Sequence, residues 1–219
     1  MNALYQFVSG PLAWASFALF IGGSAWRLYS LARLARKKDV YVYEYFNLPC
    51  ALRSIWHWVV PFMSESSRKN PGLAAVAFVF HVFLLIAPLF VMGHVAMVDR
   101  AFGLSWATLP DAVADAMSFA VVGACVFFAI RRMTVPEVKY VTSASDFAII
   151  LLAAAPFVTG ILAYHQVLGT QLMTILHIVS GEAMLAAIPF TRLSHMLYAP
   201  LTRAYIGSEF GAVRHARDW

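Results

Sequence analysis

Charged residues are scarce in this 219-residue chain, and their scarcity excludes an ordinary soluble protein. Asp, Glu, Lys and Arg together make up 12% of the sequence, whereas apolar residues make up 61%. A soluble domain carries about 25% charged residues, which keep its surface hydrated. We therefore expect much of the surface of this chain to lie in lipid.

Cysteine motifs and an early basic cluster are also absent. Cys50 and Cys125 form no C-x-x-C pair, so neither an iron–sulfur cluster nor a c-type haem attachment is indicated. The first basic residue is Arg27, so the pattern of a cleaved signal peptide is missing and we interpret the first apolar run as a retained helix. The net charge of +5 forms no compact basic patch with exposed aromatics, so no nucleic-acid partner is expected.

Long apolar runs are what the sequence has in abundance. A helix needs roughly 20 mostly apolar residues to cross a bilayer. Five segments meet this requirement, at about 7–29, 73–98, 113–130, 147–168 and 172–197. Their length and their lack of alternation exclude strands. The sequence therefore predicts an all-α integral membrane protein, a five-helix transmembrane bundle that forms a single domain over residues 1–219.

The positions of the basic residues predict the orientation of this bundle. If the N-terminus lies outside, every Lys and Arg of the 16 except Arg100 falls at the inner side of the membrane. Basic residues concentrate in cytoplasmic loops. We therefore expect an external N-terminus and a cytoplasmic C-terminus.

The segment 39–72 is too polar to span a membrane and too aromatic for a free linker. It contains three tyrosines, a phenylalanine and two tryptophans before residue 60. Such residues are typical of the headgroup layer, so we expect an interfacial helix here. A docking surface for a cytoplasmic subunit, formed together with the tail after His195, is compatible with this interpretation.

Four histidines lie inside the apolar runs and are the main candidates for function: His81, His94, His177 and His195. An ionisable group at membrane depth is costly and therefore functional by default. A neutral imidazole is a good axial ligand for haem iron. A lone histidine would more often be a hydrogen-bonded core residue, but two pairs on two helices favour two haem sites.

Depth in the membrane predicts how these histidines pair. The second and fifth helices run in opposite directions, so His94 meets His177 near the outer face and His81 meets His195 near the inner face. His177 and His195 are roughly 27 Å apart along an ideal helix and face one side, because 18 residues make about five turns. The 13 residues from His81 to His94 turn the two rings about 140° apart, so a kink or π-bulge at Pro88 is needed to re-aim His81.

Small and charged residues near the histidines have two interpretations each. Gly93, Gly160 and Gly181 leave room either for a flat macrocycle or for tight helix packing. Arg192, one turn before His195, is either a partner for a haem propionate or an ordinary inner-side arginine. Arg131 and Arg132 are weaker candidates for the same role. Glu182, deep in the fifth helix, either relays protons or bonds to a neighbouring hydroxyl.

The fifth helix resembles a known family. His177 is followed after 18 residues by His195, and the run from Pro189 to His195 reads PFTRLSH. This pattern is similar to the last haem-binding helix of the respiratory nitrate reductase gamma subunits, which are five-helix cytochromes b. The second helix, with Phe80-His81 and Gly93-His94 on either side of Pro88, looks more like the cytochrome b subunits of sulfate reducers. Those are the subunits of the high-molecular-weight cytochrome c (Hmc) complex and of the DsrM type.

The resemblance implies a di-haem cytochrome b subunit with two haems b, held by His81, His94, His177 and His195. Such a subunit sits in the inner (cytoplasmic) membrane of a bacterium. It carries electrons between a periplasmic multihaem cytochrome c, or a menaquinone pool, and a cytoplasmic iron–sulfur subunit, in contact with other membrane subunits and with lipid. Anaerobic respiration, in particular sulfate respiration, is the implied setting.

Two alternatives remain open from the residues themselves. The first is a quinol-oxidising subunit of the nitrate reductase gamma type. Its quinone would be held by polar residues at the outer ends of the helices: Asp99, Arg100, Tyr164, His165, Gln166 and Gln171. The second is a haem-free membrane anchor or transporter, in which the histidines serve a proton or metal path.

Overall fold

Helices make up most of the chain in a computed structural model that describes residues 2–219, and within this range there is no strand. The all-helical prediction is confirmed. The helices are α1 Asn2–Phe7, α2 Ala13–Lys38, α3 Tyr41–Glu44, α4 Leu48–Val59, α5 Glu65–Lys69, α6 Pro71–Phe90, α7 Met92–Phe102, α8 Asp111–Thr134, α9 Pro136–Tyr140, α10 Ala144–Tyr164, α11 Thr170–Ala187 and α12 His195–Ser208.

Five stretches of the described chain are long and apolar enough to cross a membrane, as predicted. They are Ala3–Lys38, Pro71–Phe90, Asp111–Thr134, Ala144–Tyr164 and Thr170–Phe190. The first begins earlier and ends later than expected, and a π-helical turn at Val8–Leu12 joins α1 to α2. Pro11 lies in that turn, where its missing N–H interrupts the regular ladder. The chain is a multi-pass membrane protein.

The predicted second helix, 73–98, is in fact two helices. α6 ends at Phe90, Val91 is extended (φ −69°, ψ 135°), and α7 begins at Met92. The break lies three residues after Pro88 and re-aims His94, whereas the helical spacing had required a kink or π-bulge that would re-aim His81. The long apolar run concealed this break because exposed apolar residues continue on both sides of it.

The last four carbonyls of an α-helix have no N–H of the following turn to bind within the helix. In α6, all four of these carbonyls accept hydrogen bonds. Ala87 O accepts from the N–H of Val91 (2.9 Å) and Phe90 O from the N–H of Leu109 (2.9 Å). Leu89 O accepts from the indole N–H of Trp106 (2.8 Å), and Pro88 O accepts from the imidazole of His94 (2.8 Å). Satisfied carbonyls make a helix end tolerable in an apolar environment, where an unpaired carbonyl would be costly.

The predicted fifth helix, 172–197, is also interrupted. α11 ends at Ala187 and is followed by 3₁₀ turns at Ile188–Phe190 and Arg192–Ser194. Pro189 has no N–H to continue the helix, and Thr191 is extended with its hydroxyl accepting from the N–H of Leu193 (3.2 Å). The expectation that His177 and His195 share one face of a single straight helix was therefore wrong.

The chain divides into two compact units. Unit one contains residues 2–9 and 76–184, and unit two contains residues 10–75 and 185–219. The core of unit one is a cluster of Ala87, Met117, Val121 and Phe157, with Val121 fully buried. This cluster packs α6, α8 and α10 together. At one end of α10, the buried carboxylate of Asp146 caps the helix and binds Arg132, with Nη1 and Oδ1 3.0 Å apart.

Unit two is organised by close packing of α4 on α12. Gly207 and Gly211 lie against Cys50 and Ser54, so the two backbones approach closely. The opposite face of α4 carries exposed Leu48, Leu52, Trp56 and Val59. The segment 39–72 thus contains an amphipathic helix whose apolar stripe points outward, as an interfacial helix requires.

Candidate functional site

The imidazoles of His94 and His177 meet edge to edge in unit one, with Nε2 directed at Nε2. Their Nε2 atoms are 3.5 Å apart, the ring centroids are separated by 5.8 Å, and the ring planes differ by 19°. α7 positions His94 three residues after the break at Val91, and α11 positions His177 two turns from its beginning. Both side chains are half-buried. The structure therefore brings together one of the two histidine pairs that the sequence analysis named.

The other ring nitrogen of each histidine is bonded to a backbone carbonyl. Nδ1 of His94 donates to Pro88 O and Nδ1 of His177 donates to Pro156 O, both at 2.8 Å. A carbonyl oxygen only accepts, so each Nδ1 carries the proton and each Nε2 carries a lone pair. Such a bond is the usual support behind a histidine that ligates a metal.

Two lone pairs that face each other at 3.5 Å call for a positive centre between them. A metal bound by two imidazoles at about 2 Å on each side places the nitrogens roughly 4 Å apart, close to the observed separation. Tetrahedral metals take four ligands, whereas haem iron takes two axial ones from the protein. Among residues 2–219, no group of three or more His, Cys, Asp and Glu is placed to hold a metal ion. The pair fits the axial ligands of a haem.

Gly160 supplies the space that the His177 ring occupies. A Cβ built at this glycine would lie 3.1 Å from both Cε1 and Nδ1 of the imidazole. Thr159 and Ser180 join α10 to α11 at this level through their hydroxyls (3.2 Å). By contrast, a Cβ added at Gly93 or Gly181 would meet no atom of the described chain within 4 Å, apart from its chain neighbours and its own helix backbone. Of these three glycines, Gly160 contacts a candidate ligand on another helix, whereas Gly93 directly precedes His94 in the sequence.

His81 belongs to unit one and His195 to unit two. His81 is an exposed residue of α6, its Nδ1 donates to Ala77 O (2.7 Å), and its ring stands edge-on to Phe80. In unit two, His195 is exposed at the first position of α12, and its Nδ1 donates to Arg192 O (2.8 Å). Both rings therefore carry their lone pair on Nε2. His57, outside the spans, makes the same kind of bond to Arg53 O, so this bond alone does not identify a ligand.

The arginines considered as propionate partners have different surroundings. Arg192 is exposed in the 3₁₀ turn that precedes His195, and its carbonyl orients the His195 ring. Arg132 is bound to Asp146 and to the hydroxyl of Thr142 (3.3 Å). This ion pair gives Arg132 a structural role at the start of α10.

A further histidine forms a hydrogen bond to an acidic residue that the sequence did not predict. Nε2 of His165 lies 3.1 Å from both carboxylate oxygens of Asp115. Asp115 is only four residues into α8, and an acidic residue so close to the start of an apolar run was the available signal. Among the described residues, the two carboxyl oxygens of Glu182 are buried and have no hydrogen-bond partner. The interpretation of Glu182 as bonded to a neighbouring hydroxyl was therefore wrong.

Comparison with known proteins gives a relative that matches over almost the whole chain. A protein of Nitratidesulfovibrio vulgaris (strain Hildenborough), named simply "Protein", is 34% identical over 219 residues, which cover 96% of this chain and 95% of the relative. The chain belongs to the family of this protein. No family model matches the chain. Because the match covers nearly all of both chains, the family extends over both units and not over one motif alone.

Proposed function

We propose that the chain is a di-haem cytochrome b subunit that carries electrons across a membrane. The observation that supports this most directly is the His94–His177 pair, with both Nδ1 protons held by proline carbonyls and both Nε2 lone pairs directed at one point. A haem bound there would exchange one electron at a time between its ferric and ferrous states. The chain's own contribution is to fix the two imidazoles and to exclude water from them.

His81 and His195 are proposed to hold the second haem, near the inner face. Each ring is oriented by a backbone carbonyl of its own unit, Ala77 O for His81 and Arg192 O for His195. The resemblance to nitrate reductase gamma subunits and to the Hmc and DsrM cytochromes supports this pairing. Arg192 is the proposed partner of a propionate of this haem.

The proposed orientation has the N-terminus outside and the C-terminus in the cytoplasm of a bacterial cell, in the inner membrane. The basic end of α2, with Arg36, Lys37 and Lys38 in its last turn, supports an inner position for that end. Fusion of a reporter to Trp219 and of another near Met1 tests the orientation. An external Trp219 would contradict it.

The proposed partners are a cytoplasmic iron–sulfur subunit and an electron donor on the outer side, either a periplasmic multihaem cytochrome c or menaquinone. The inner-side surface of α4 and the tail after His195 are the proposed dock for the iron–sulfur subunit. The exposed apolar stripe of α4 suits either this dock or the lipid headgroup layer. Sulfate respiration is the proposed setting, following the resemblance.

Two specific observations favour alternative functions. The His165–Asp115 pair offers a base at a helix end, as a quinol-oxidising subunit of the nitrate reductase gamma type requires. The unpartnered carboxyl group of Glu182 would suit a proton path in a haem-free transporter. Haem content separates the second alternative from the proposal.

The absorption spectrum of the purified protein tests the proposal. We expect a Soret band in the oxidised protein and α-bands of haem b after reduction with dithionite. A protein purified from a haem-sufficient host with no Soret band would contradict the proposal and favour a haem-free anchor or transporter. Oxidation of a menaquinol analogue by the same preparation, abolished by His165→Ala with haem retained, would favour the quinol-oxidising alternative.

A further inference from the structure

Two polar groups of α2, in unit two, are buried without a hydrogen-bond partner. Ser24 is only 9% exposed and its hydroxyl has no partner within residues 2–219. Arg27, one turn further along the helix, has a buried Nε that is likewise unpaired in the described chain. A buried donor left unsatisfied costs about 1–3 kcal/mol, more for a charged group. An unsatisfied buried donor in a native protein calls for an explanation, such as a redox role or a bound ion or water.

The other buried serine of this helix shows what Ser24 lacks. Ser16 is 5% exposed, and its hydroxyl donates to Leu12 O, four residues earlier, at 3.0 Å. Such a bond to the preceding turn is the usual way in which a helical serine is satisfied in an apolar environment. Ser24 does not make it. Its hydroxyl therefore keeps a hydrogen available for another acceptor.

Close to Ser24 and Arg27, α2 contacts the segment of the chain that leads to His195. Gly23 packs directly on the 3₁₀ turn Ile188–Phe190, because a Cβ at residue 23 would lie 2.7 Å from Cγ of Pro189. Arg27 is four residues after Gly23 and so lies on the same face of α2, one turn further on. The chain continues from Phe190 through Arg192 to His195, all within unit two. Arg27 thus shares a helix face with the residue that packs on this segment.

The chemistry of the two groups defines the missing ligand. A hydroxyl and a guanidinium N–H both donate, and the guanidinium carries a permanent positive charge. An anionic oxygen is their natural acceptor, and bonds between an arginine and a carboxylate are among the strong ones. We propose that Ser24 and Arg27 bind a carboxylate, namely a propionate of the haem that His195 ligates. This inference rests on the function proposed above.

Potentiometric titration of the haems in the full chain, followed by absorption, tests the proposal. Reduction adds negative charge, which a nearby guanidinium stabilises, so Arg27→Gln should lower the midpoint potential of the haem that is lost in His195→Ala. We expect about a tenfold shift in the redox equilibrium, which is 59 mV for a one-electron couple. Ser24→Ala should shift the same haem in the same direction by less, and Arg27→Lys should shift it less than Arg27→Gln.

Matched controls come from the same helix. Ser16→Ala removes a hydroxyl that is already satisfied, and Arg33→Gln removes an exposed charge. Both should leave both potentials at the wild-type values. If Arg27→Gln does not accumulate in membranes, the comparison of Ser24→Ala with Ser16→Ala still decides whether the inference holds.

The results that would contradict this inference differ from those that would contradict the proposed function. Two haems present with unchanged potentials in Arg27→Gln and Ser24→Ala would overturn this inference and leave the di-haem proposal standing. Unchanged potentials combined with a loss of stability that depends on phosphatidylglycerol in nanodiscs would assign the two residues to a lipid phosphate and would also overturn it. Absence of haem from the wild-type protein would overturn the proposed function and this inference with it.

Discussion

Gly160 and His177 are matched across the contact between α10 and α11, because the missing side chain of the glycine is the space in which the imidazole stands. Any Cβ at residue 160 would come within 3.1 Å of the ring, tighter than ordinary van der Waals contact. The same ring is bonded to Pro156 O, four residues before Gly160 on α10. One face of α10 therefore both orients the ring and makes room for it.

Substitution Gly160→Ala should displace the His177 ring by a few tenths of an ångström. If His177 ligates a haem as proposed, we expect a changed electron paramagnetic resonance signal, or partial loss, of that haem, with the second proposed haem unchanged. Gly123→Ala is the matched control, since an added Cβ in the middle of α8 meets no atom within 4 Å in the described chain. Identical spectra for both variants would show that the ring tolerates the methyl group.

The contact between α4 and α12 should be equally sensitive to one methyl group. A Cβ at Gly207 would overlap Cβ of Ser54 and lie 2.7 Å from Cys50 O, a backbone atom that cannot rotate away. Overpacking of this kind costs about 1–3 kcal/mol. We expect Gly207→Ala to lower the unfolding temperature in detergent. Gly22→Ala, where the added Cβ meets no atom within 4 Å among residues 2–219, should be neutral or slightly stabilising.

The C-terminal tail is held to α4 and α12 by Asp218. Its carboxylate accepts from the hydroxyl of Ser54 (2.5 Å) and lies 3.7 Å from Nη1 of Arg203, while its carbonyl accepts from the indole of Trp58 (3.2 Å). The next residue, Trp219, stacks on His57 with the ring centroids 4.2 Å apart. A tail so bound is a folded part of unit two.

Asp218→Ala should release this tail because the half-buried Arg203 and the buried Ser54 lose their shared acceptor. We expect faster cleavage of the C-terminal residues by trypsin, at Arg214 and Arg217, in limited proteolysis. Glu137→Ala, in which the replaced acidic side chain belongs to unit one, is the control for a lost negative charge. Equal cleavage rates in the two variants would mean that Asp218 does not hold the tail.

The number of spans was predictable from composition, because a charge-poor stretch of about 20 residues is long and apolar enough to cross a bilayer as a helix. The two helix breaks were harder to predict. Pro88 and Pro189 were visible in the sequence, but the break near Pro88 falls at Val91, where Trp106 and Leu109 supply donors to the freed carbonyls. Those donors come from a loop that the apolar pattern does not describe.

The residue types of the candidate site were predictable from the sequence. The backbone carbonyls and the space that position the histidine rings were less predictable. Histidines at membrane depth are conspicuous, and counting residues from the ends of the runs pairs His94 with His177. The carbonyls of Pro88 and Pro156, which orient the rings, carry no sequence signal of their own because every residue has a carbonyl. The ring-sized space at Gly160 depends on which face of α10 meets α11, and periodicity does not specify this in a helix that is apolar all round.

The central claim is that two histidine pairs hold two haems, and haem stoichiometry tests it most directly. The pyridine haemochrome assay on the purified wild-type protein should give two haems b per chain. His94→Ala and His177→Ala should each give one and should lose the same haem, identified by its midpoint potential, while His195→Ala loses the other. His165→Ala, the control, should retain both. Wild-type protein without haem, or His94→Ala and His177→Ala variants that lose different haems, would contradict the account.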